Sequence, residues 1–127
     1  MKKGTQVCID IENCDSGFLN DAAFLEDLLS KAIKESGFIL VEDIKMHQFH
    51  PYGVTGYALL SSSHIAIHTW PEYNFASVDI FACDSKEKVM KAMDIILQNL
   101  KPCDAMVSIF KRGFITDKIE EMMKVQN

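Results

Sequence analysis

The sequence predicts an α+β fold: a two-layer α/β sandwich in which a mainly antiparallel sheet carries two helices on one face. Three observations carry that expectation. Strand-like segments outnumber helical ones. Short turns rich in Pro, Gly, Asn and Ser separate most of the strand-like segments, as hairpins require. Two amphipathic segments of helical period, one in each half of the chain, can cover one sheet face and leave the other open.

Taken in order, residues 5–11 (TQVCIDI) alternate, with Val7, Ile9 and Ile11 on one side, the pattern of a half-buried strand. Residues 13–20 are rich in turn formers. From Asp21 the period changes, and Phe24, Leu28 and Ala32 with Ile33 recur at helical spacing. Asn20 or Asp21 is the N-cap of this helix, and Gly37 after Ser36 is its stop. Residues 38–49 return to strand character until Pro51-Tyr52-Gly53 breaks it. Residues 54–60 and 64–70 are the next two strands, followed by the turn Pro71-Glu72-Tyr73-Asn74.

Residues 75–83 (FASVDIFAC) form another strand, with Phe75, Ser77, Asp79 and Phe81 on one face and Ala76, Val78, Ile80 and Ala82 on the other. Asp84 or Ser85 opens a second helix whose apolar stripe is Val89, Met93, Ile96 and Leu100, and Pro102 ends it. Residues 105–110 supply a last strand, and the tail from Ile115 is expected as a short frayed helix. The order is β-α-β-β-β-β-α-β in one domain spanning residues 1–127.

Bulk properties narrow the function. A chain of 127 residues with 48% hydrophobic composition can bury a core of its own. Its net charge of −5 argues against nucleic acid or an anionic membrane surface as partner. Arg112 is the only arginine, which disfavours clustered phosphate recognition, while the acidic balance suits a cationic small substrate. Cys8, Cys14, Cys83 and Cys103 form no CxxC pair and follow no signal peptide, so reduced thiols and a cytoplasmic location are expected. No apolar run is long enough to span a bilayer.

The chemistry concentrates in residues 61–72, SSSHIAIHTWPE. His64 and His68 lie four apart in a strand, which puts them on one face but roughly 13 Å apart, too far to share a metal. A Cys83–His68 nucleophile pair is conceivable, but it needs an orienting group that the sequence does not identify. The serine run is either a polar turn or a self-processing site. In the second case a serine hydroxyl attacks its own preceding carbonyl, amide becomes ester, and β-elimination cuts the chain. The dehydroalanine left behind hydrolyses to a pyruvoyl group. Such chemistry needs a strained turn, a hydroxyl and a nearby base, and a turn lined by Ser, His and Thr offers them.

The stretch HQFHPYGVTGYALLSSSHIAIHTWPEYNFASVDIFACD, with PYGVTG, SHIAIHTWPE and a late Arg112-Gly113, resembles the short prokaryotic form of S-adenosylmethionine decarboxylase. That family consists of pyruvoyl-dependent enzymes of polyamine (spermidine) synthesis, and the resemblance runs from about Val7 to Gly113. It implies that Ser63 is the precursor of a covalent, self-generated pyruvoyl group and that the chain is cut between Ser62 and Ser63. It further implies His68 and Thr55 as processing residues and Cys83 as the thiol that returns a proton to the substrate carbon after CO₂ leaves. Phe49 and Glu72 fall where the family contacts the nucleoside, by stacking and by ribose hydrogen bonds. The implied assembly is a homodimer of processed protomers with sites near the interface, and the chemistry requires no metal.

Two departures from the family pattern stand out. Ser62 occupies a place usually held by glutamate. The first strand ends Ile11-Glu12-Asn13-Cys14, without the family's usual aromatic. Glu12 near the site would suit a second cationic group, which leaves open a pocket retuned to arginine or ornithine. A further alternative is an unprocessed, non-catalytic paralogue acting as a regulatory subunit.

Overall fold

The computed structural model describes residues 4–83, 85–113 and 119–126, and among these it forms one seven-stranded sheet with three helices. The strands are β1 (Gly4–Glu12), β2 (Lys45–Gln48), β3 (Val54–Leu60), β4 (Ser63–Trp70), β5 (Phe75–Ala82), β6 (Asp104–Arg112) and β7 (Ile119–Gln126). The helices are α1 (Ser16–Leu19), α2 (Ala22–Ser36) and α3 (Lys86–Leu100). The spatial order is β2-β3-β4-β5-β1-β6-β7, and every neighbouring pair is antiparallel. The first strand therefore returns to the middle of the sheet after the β2–β5 meander is laid beside it.

Local signals account for the helices. Asp21 caps α2 by accepting from the Phe24 N–H at 3.0 Å, and Ser85 caps α3 by accepting from the Lys88 N–H at 3.2 Å. Gly37 ends α2 in the left-handed region at φ 88°, where a side chain would be strained. Leu25, Leu28, Leu29, Ala32 and Ile33 of α2 and Val89, Ala92, Met93, Ile96 and Leu100 of α3 are buried. They meet Val7, Ile9 and Ile11 of β1, Ile65 and Ile67 of β4 and Val78 and Ile80 of β5 in one core. Phe24 stands at the margin of this core, half-buried, and stacks on Phe18 with centroids 4.7 Å apart.

Three expectations need correction. Residues 38–49 do not form one strand: only Lys45–Gln48 is strand, with an isolated bridge from Leu40 to Leu60. The chain leaves β3 through Glu42 and Asp43, both exposed, so the pairing is interrupted by charge. Residues 13–20 contain a helical turn, α1, capped by Asp15, whose carboxylate accepts from the Gly17 N–H at 2.7 Å. The tail, expected as a frayed helix from Ile115, is instead strand β7 over Ile119–Gln126, while residues 115–118 lie outside the described residues. The Glu-, Met- and Lys-rich tail favours helix locally, but the edge of β6 offers a row of backbone partners that overrides propensity.

The helices cover only one face. The opposite face carries the other half of each strand's alternation, and register aligns it in transverse rows. One row runs His47, Thr55, His68, Ser77, Asp10, Met106. Tyr57, Leu59, Trp70 and Met106 on this face are each at least 40% exposed, an unusually apolar surface for water to cover. Among the described residues, no helix is long and apolar enough to cross a membrane.

Candidate active site

The residues singled out in the sequence fall into two clusters at opposite ends of β4. The first surrounds the hairpin joining β3 to β4. Leu60 pairs with Ser63, which leaves Ser61 and Ser62 as a two-residue loop. Ser62 sits at φ 101°, a conformation that costs a non-glycine residue on the order of 1 kcal/mol. The loop is tied on both sides: Ser61 N–H donates to Ile39 C=O at 3.0 Å, and Ser62 N–H donates to Leu60 C=O at 3.0 Å. The Ser62 carbonyl, which belongs to the peptide bond preceding Ser63, accepts from the Cys83 N–H at 3.2 Å. A pocket of about 190 Å³ opens here, lined by Phe38, Ile39, Ser62, Ser63, Cys83 and Lys88 among others.

The second cluster lies where β3 begins and β4 ends. Thr55 Oγ1 and His68 Nδ1 are cross-strand partners 3.1 Å apart. They line a pocket of about 440 Å³ together with Phe49, Tyr52, Trp70 and Glu72. The aromatic rings form a partial wall: His68 to Trp70 is 6.5 Å between centroids, and Trp70 to Phe75 is 5.5 Å. Phe49 meets His47 edge-on at 4.5 Å.

Polar ties hold this second cluster in place. Asn20 Oδ1 accepts from both the Gly53 N–H at 2.9 Å and Gln48 Nε2 at 3.0 Å. Phe49 N–H donates to Gly53 C=O at 2.8 Å, closing the 49–53 turn, where Gly53 adopts φ 110°. Thr69, buried behind the pocket, donates to Leu19 C=O at 2.7 Å and accepts from the Val54 N–H at 2.8 Å. A short 3₁₀ turn, Pro71–Tyr73, ends at Asn74, whose side chain donates to Cys14 C=O at 3.0 Å and so fixes the segment bearing Glu72.

The structure thus brings Ser62, Ser63 and Cys83 together at one end, and Thr55, His68, Phe49 and Glu72 together at the other. It does not bring the two groups together within one chain. His68 is five residues from Ser63 along β4, about 17 Å at strand rise. Glu12, at the exposed end of β1, lines neither pocket.

Several groups at the two pockets had no sequence assignment. Trp70 was legible in principle, because strand alternation from His68 places it on the same face two residues later. Tyr52 and Lys88 carry no such signal, since each looks like an ordinary turn or helix-surface residue. The Cys83 N–H is a backbone group that no residue type reveals.

A hydroxyl at Ser63, a preceding carbonyl already hydrogen-bonded, and a strained residue at position 62 are three of the features that self-cleavage to a pyruvoyl group would use; the base is not among the groups at this end of β4. Known proteins resemble the chain over most of its length. A sequence model described as S-adenosylmethionine decarboxylase matches residues 5–113. An S-adenosylmethionine decarboxylase proenzyme of Methanococcus maripaludis (strain S2) is 40% identical over 114 residues, 90% of this chain and 93% of the relative. One of Persephonella marina is 37% identical over 112 residues, covering 88% and 84%. The crystal structure of the adenosylmethionine decarboxylase from Aquifex aeolicus VF5 superposes with a TM-score of 0.85 at 31% identity. It covers 94% of this chain and 98% of that one.

Proposed function

The chain belongs to the S-adenosylmethionine decarboxylase family, and from that premise we propose the residue roles by which it works. Family members are pyruvoyl-dependent carboxy-lyases of polyamine biosynthesis, made as proenzymes that cut themselves. This protein decarboxylates S-adenosylmethionine, and its pyruvoyl group arises from Ser63 by cleavage after Ser62. The observation that carries the assignment is the Cys83 N–H donating to the Ser62 carbonyl at a positive-φ turn.

The first step is attack of Ser63 Oγ on the Ser62 carbonyl carbon. Negative charge then grows on an oxygen that the Cys83 N–H already meets, and such a fixed donor is worth far more to that transition state than to the ground state. The amide C–N bond breaks, the residue 63 nitrogen takes a proton, and an ester remains. Elimination releases residues 1–62 with a new carboxylate at Ser62 and leaves dehydroalanine at residue 63, whose imine tautomer takes up water and loses ammonia to give the keto form. When formed, the pyruvoyl carbonyl supplies the electron sink for loss of CO₂ from the substrate. Cys83 Sγ supplies the proton that the substrate carbon takes up, since a thiol is an acid that can donate to a carbanion-like carbon. Phe49 and Trp70 offer ring faces to the adenine, and Glu72 accepts from ribose hydroxyls.

Thr55 and His68 reach Ser63 only in a dimer. The open sheet face is the surface that a second copy covers, and a two-fold axis running across the strands superposes opposite strand ends. The hairpin end of one chain then lies over the Thr55–His68 end of the other. Sheets packed face to face in this way are about 10 Å apart, a gap that side chains and a substrate can bridge. His68 of one copy serves the proton transfers at Ser63 of the other. We assign the protein to the cytoplasm on its four free thiols.

Intact mass spectrometry tests the cleavage. Two fragments meeting between residues 62 and 63, the second lacking a free amine, are expected; a chain that stays whole on long incubation refutes the reading. Release of labelled CO₂ from S-adenosylmethionine, and not from arginine or ornithine, is the expected substrate preference. Release from either basic amino acid instead would reassign the pocket.

A further inference from the structure

The helical turn α1 and its C-cap Asn20 take no part in the chemistry, yet they grip two sides of the pocket that holds Thr55 and His68. Leu19 C=O accepts from Thr69 Oγ1 at 2.7 Å, which ties α1 to the end of β4. Asn20 Oδ1 accepts from the Gly53 N–H at 2.9 Å and from Gln48 Nε2 at 3.0 Å, which ties α1 to the 49–53 turn. Gln48 Nε2 also faces Phe49 C=O at 3.2 Å and Gly53 C=O at 3.0 Å. A backbone N–H can only donate, so it fixes which end of the Asn20 amide meets Gly53, and the Gln48 amide is fixed in turn. The rings on this turn depend on it. Phe49 and Tyr52 are 46% and 55% exposed, so the core holds neither, and His47, which meets Phe49 edge-on, is itself exposed. Gly53 stands against Phe49: a Cβ there would lie 3.9 Å from Phe49 Cβ and Cδ2. Thr55 and His68 are held differently, by the cross-strand register of β3 and β4, in which Asn20 has no part.

We propose that Asn20 is a positioning residue for the nucleoside: by presetting the 49–53 turn it holds the Phe49 ring in place before the adenine arrives. The proposal rests on the reading of Phe49 as the ring that stacks on the substrate. Without the two hydrogen bonds to Asn20 Oδ1 the turn must be ordered when substrate binds, and that ordering cost is taken out of affinity. Phe49 meets a part of the substrate that does not react, so the loss is the same in the ground state and the transition state. It raises KM and leaves kcat alone. Self-cleavage also keeps its rate, because the Thr55–His68 pair stands on the strand ladder and not on Asn20. A general loosening of this end of the sheet would move all three quantities together.

The test compares wild-type protein with the Asn20→Ala, Asn20→Asp and Phe49→Ala variants. Self-cleavage is followed by intact mass spectrometry, KM and kcat by CO₂ release from S-adenosylmethionine, and adenosine affinity by calorimetry in a Ser63→Ala background that stays uncut. Asn20→Ala is expected to weaken adenosine binding about 5- to 100-fold and to raise KM by a similar factor, with kcat and the cleavage rate as in the wild type. Asn20→Asp keeps an acceptor for both N–H donors and is expected to restore affinity and KM. Gln48→Met removes the Nε2 donor while leaving Asn20, so it is expected to weaken adenosine in the same direction. It stands in for Asn20→Ala if circular dichroism shows that variant unfolded.

Wild-type adenosine affinity and KM in folded Asn20→Ala protein overturn the proposal. So does a fall in kcat or in cleavage rate that parallels the loss of affinity, or an Asn20→Asp variant as weak as Asn20→Ala, because Asn20 then supports the fold and not the preset turn. If Phe49→Ala binds adenosine as tightly as its parent, the reading of Phe49 fails and the proposal falls with it, an outcome distinct from a Phe49→Ala defect that Asn20→Ala does not share.

Discussion

If Thr55 and His68 serve the hairpin of a second copy, two inactive variants rescue each other. Ser63→Ala lacks the hydroxyl to be processed but keeps Thr55 and His68. His68→Ala keeps Ser63, Cys83 and the pocket around them but lacks the imidazole. Within one chain, the register of β4 holds position 68 about 17 Å from position 63, so no side-chain rearrangement lets either variant help itself. In a mixed dimer one composite site contains Ser63 and Cys83 from the His68→Ala chain and the Thr55–His68 pair from the Ser63→Ala chain. That site is complete; the other lacks both groups.

Random pairing of equal amounts makes about half of the dimers mixed, with one complete site of two in each. About half of the His68→Ala chains, and none of the Ser63→Ala chains, are therefore cut. Intact mass spectrometry of the co-expressed mixture measures both fractions, and in mixed dimers isolated through two different affinity tags nearly all of the His68→Ala chains are expected to be cut. Purified mixed dimers in which the His68→Ala chain stays whole refute the shared site. So does His68→Ala protein that cuts at the wild-type rate alone.

Three further outcomes are expected. Cys83→Ala keeps the backbone N–H that meets the Ser62 carbonyl, so self-cleavage continues while CO₂ release falls steeply; mass spectrometry and the turnover assay separate the two. Thr69→Val, nearly isosteric, removes the hydroxyl that serves Leu19 C=O and the Val54 N–H, so it lowers unfolding free energy by about 2 kcal/mol in urea melts. The Cys14 thiol is buried against Leu100 C=O, and burial pushes its pKa from 9.0 up to about 11. The folded protein holds that proton more tightly than the unfolded chain. Its contribution is therefore complete below pH ~9, is lost as pH rises towards ~11, and amounts to at most about 2–3 kcal/mol. Urea melts across that range are expected to lose less stability in Cys14→Ala than in the wild type.

Much of the fold was legible because it is written in local period. The alternation of Val7, Ile9 and Ile11 and of Ala76, Val78, Ile80 and Ala82 is the buried face of the sheet, and it survives folding unchanged. Caps at Asp21 and Ser85 and the stop at Gly37 act over three or four residues, a range that sequence encodes directly. The tail was not legible, since its residues favour helix and only the free edge of β6 makes a strand of them. The 38–49 segment failed for a related reason: apolar residues were there, but pairing with β3 stops at the exposed Glu42 and Asp43.

The site divides in the same way. The candidate side chains were named from the sequence: a hydroxyl at 63 in a serine turn, His68 and Thr55, a thiol at 83, Phe49 with Glu72, and Glu12, which lines neither pocket. Where they stand was decided by tertiary structure alone. Antiparallel register brings Thr55 to His68, and it carries the same His68 away from Ser63 along a strand that cannot bend back. The donor on the Ser62 carbonyl is a backbone amide from a residue 21 positions later, and Lys88 reaches the turn only because α3 starts beside it. Residue type records the chemistry a chain can perform; the distance between two groups remote in sequence is set by hydrogen-bond ladders and packing, which no local pattern encodes.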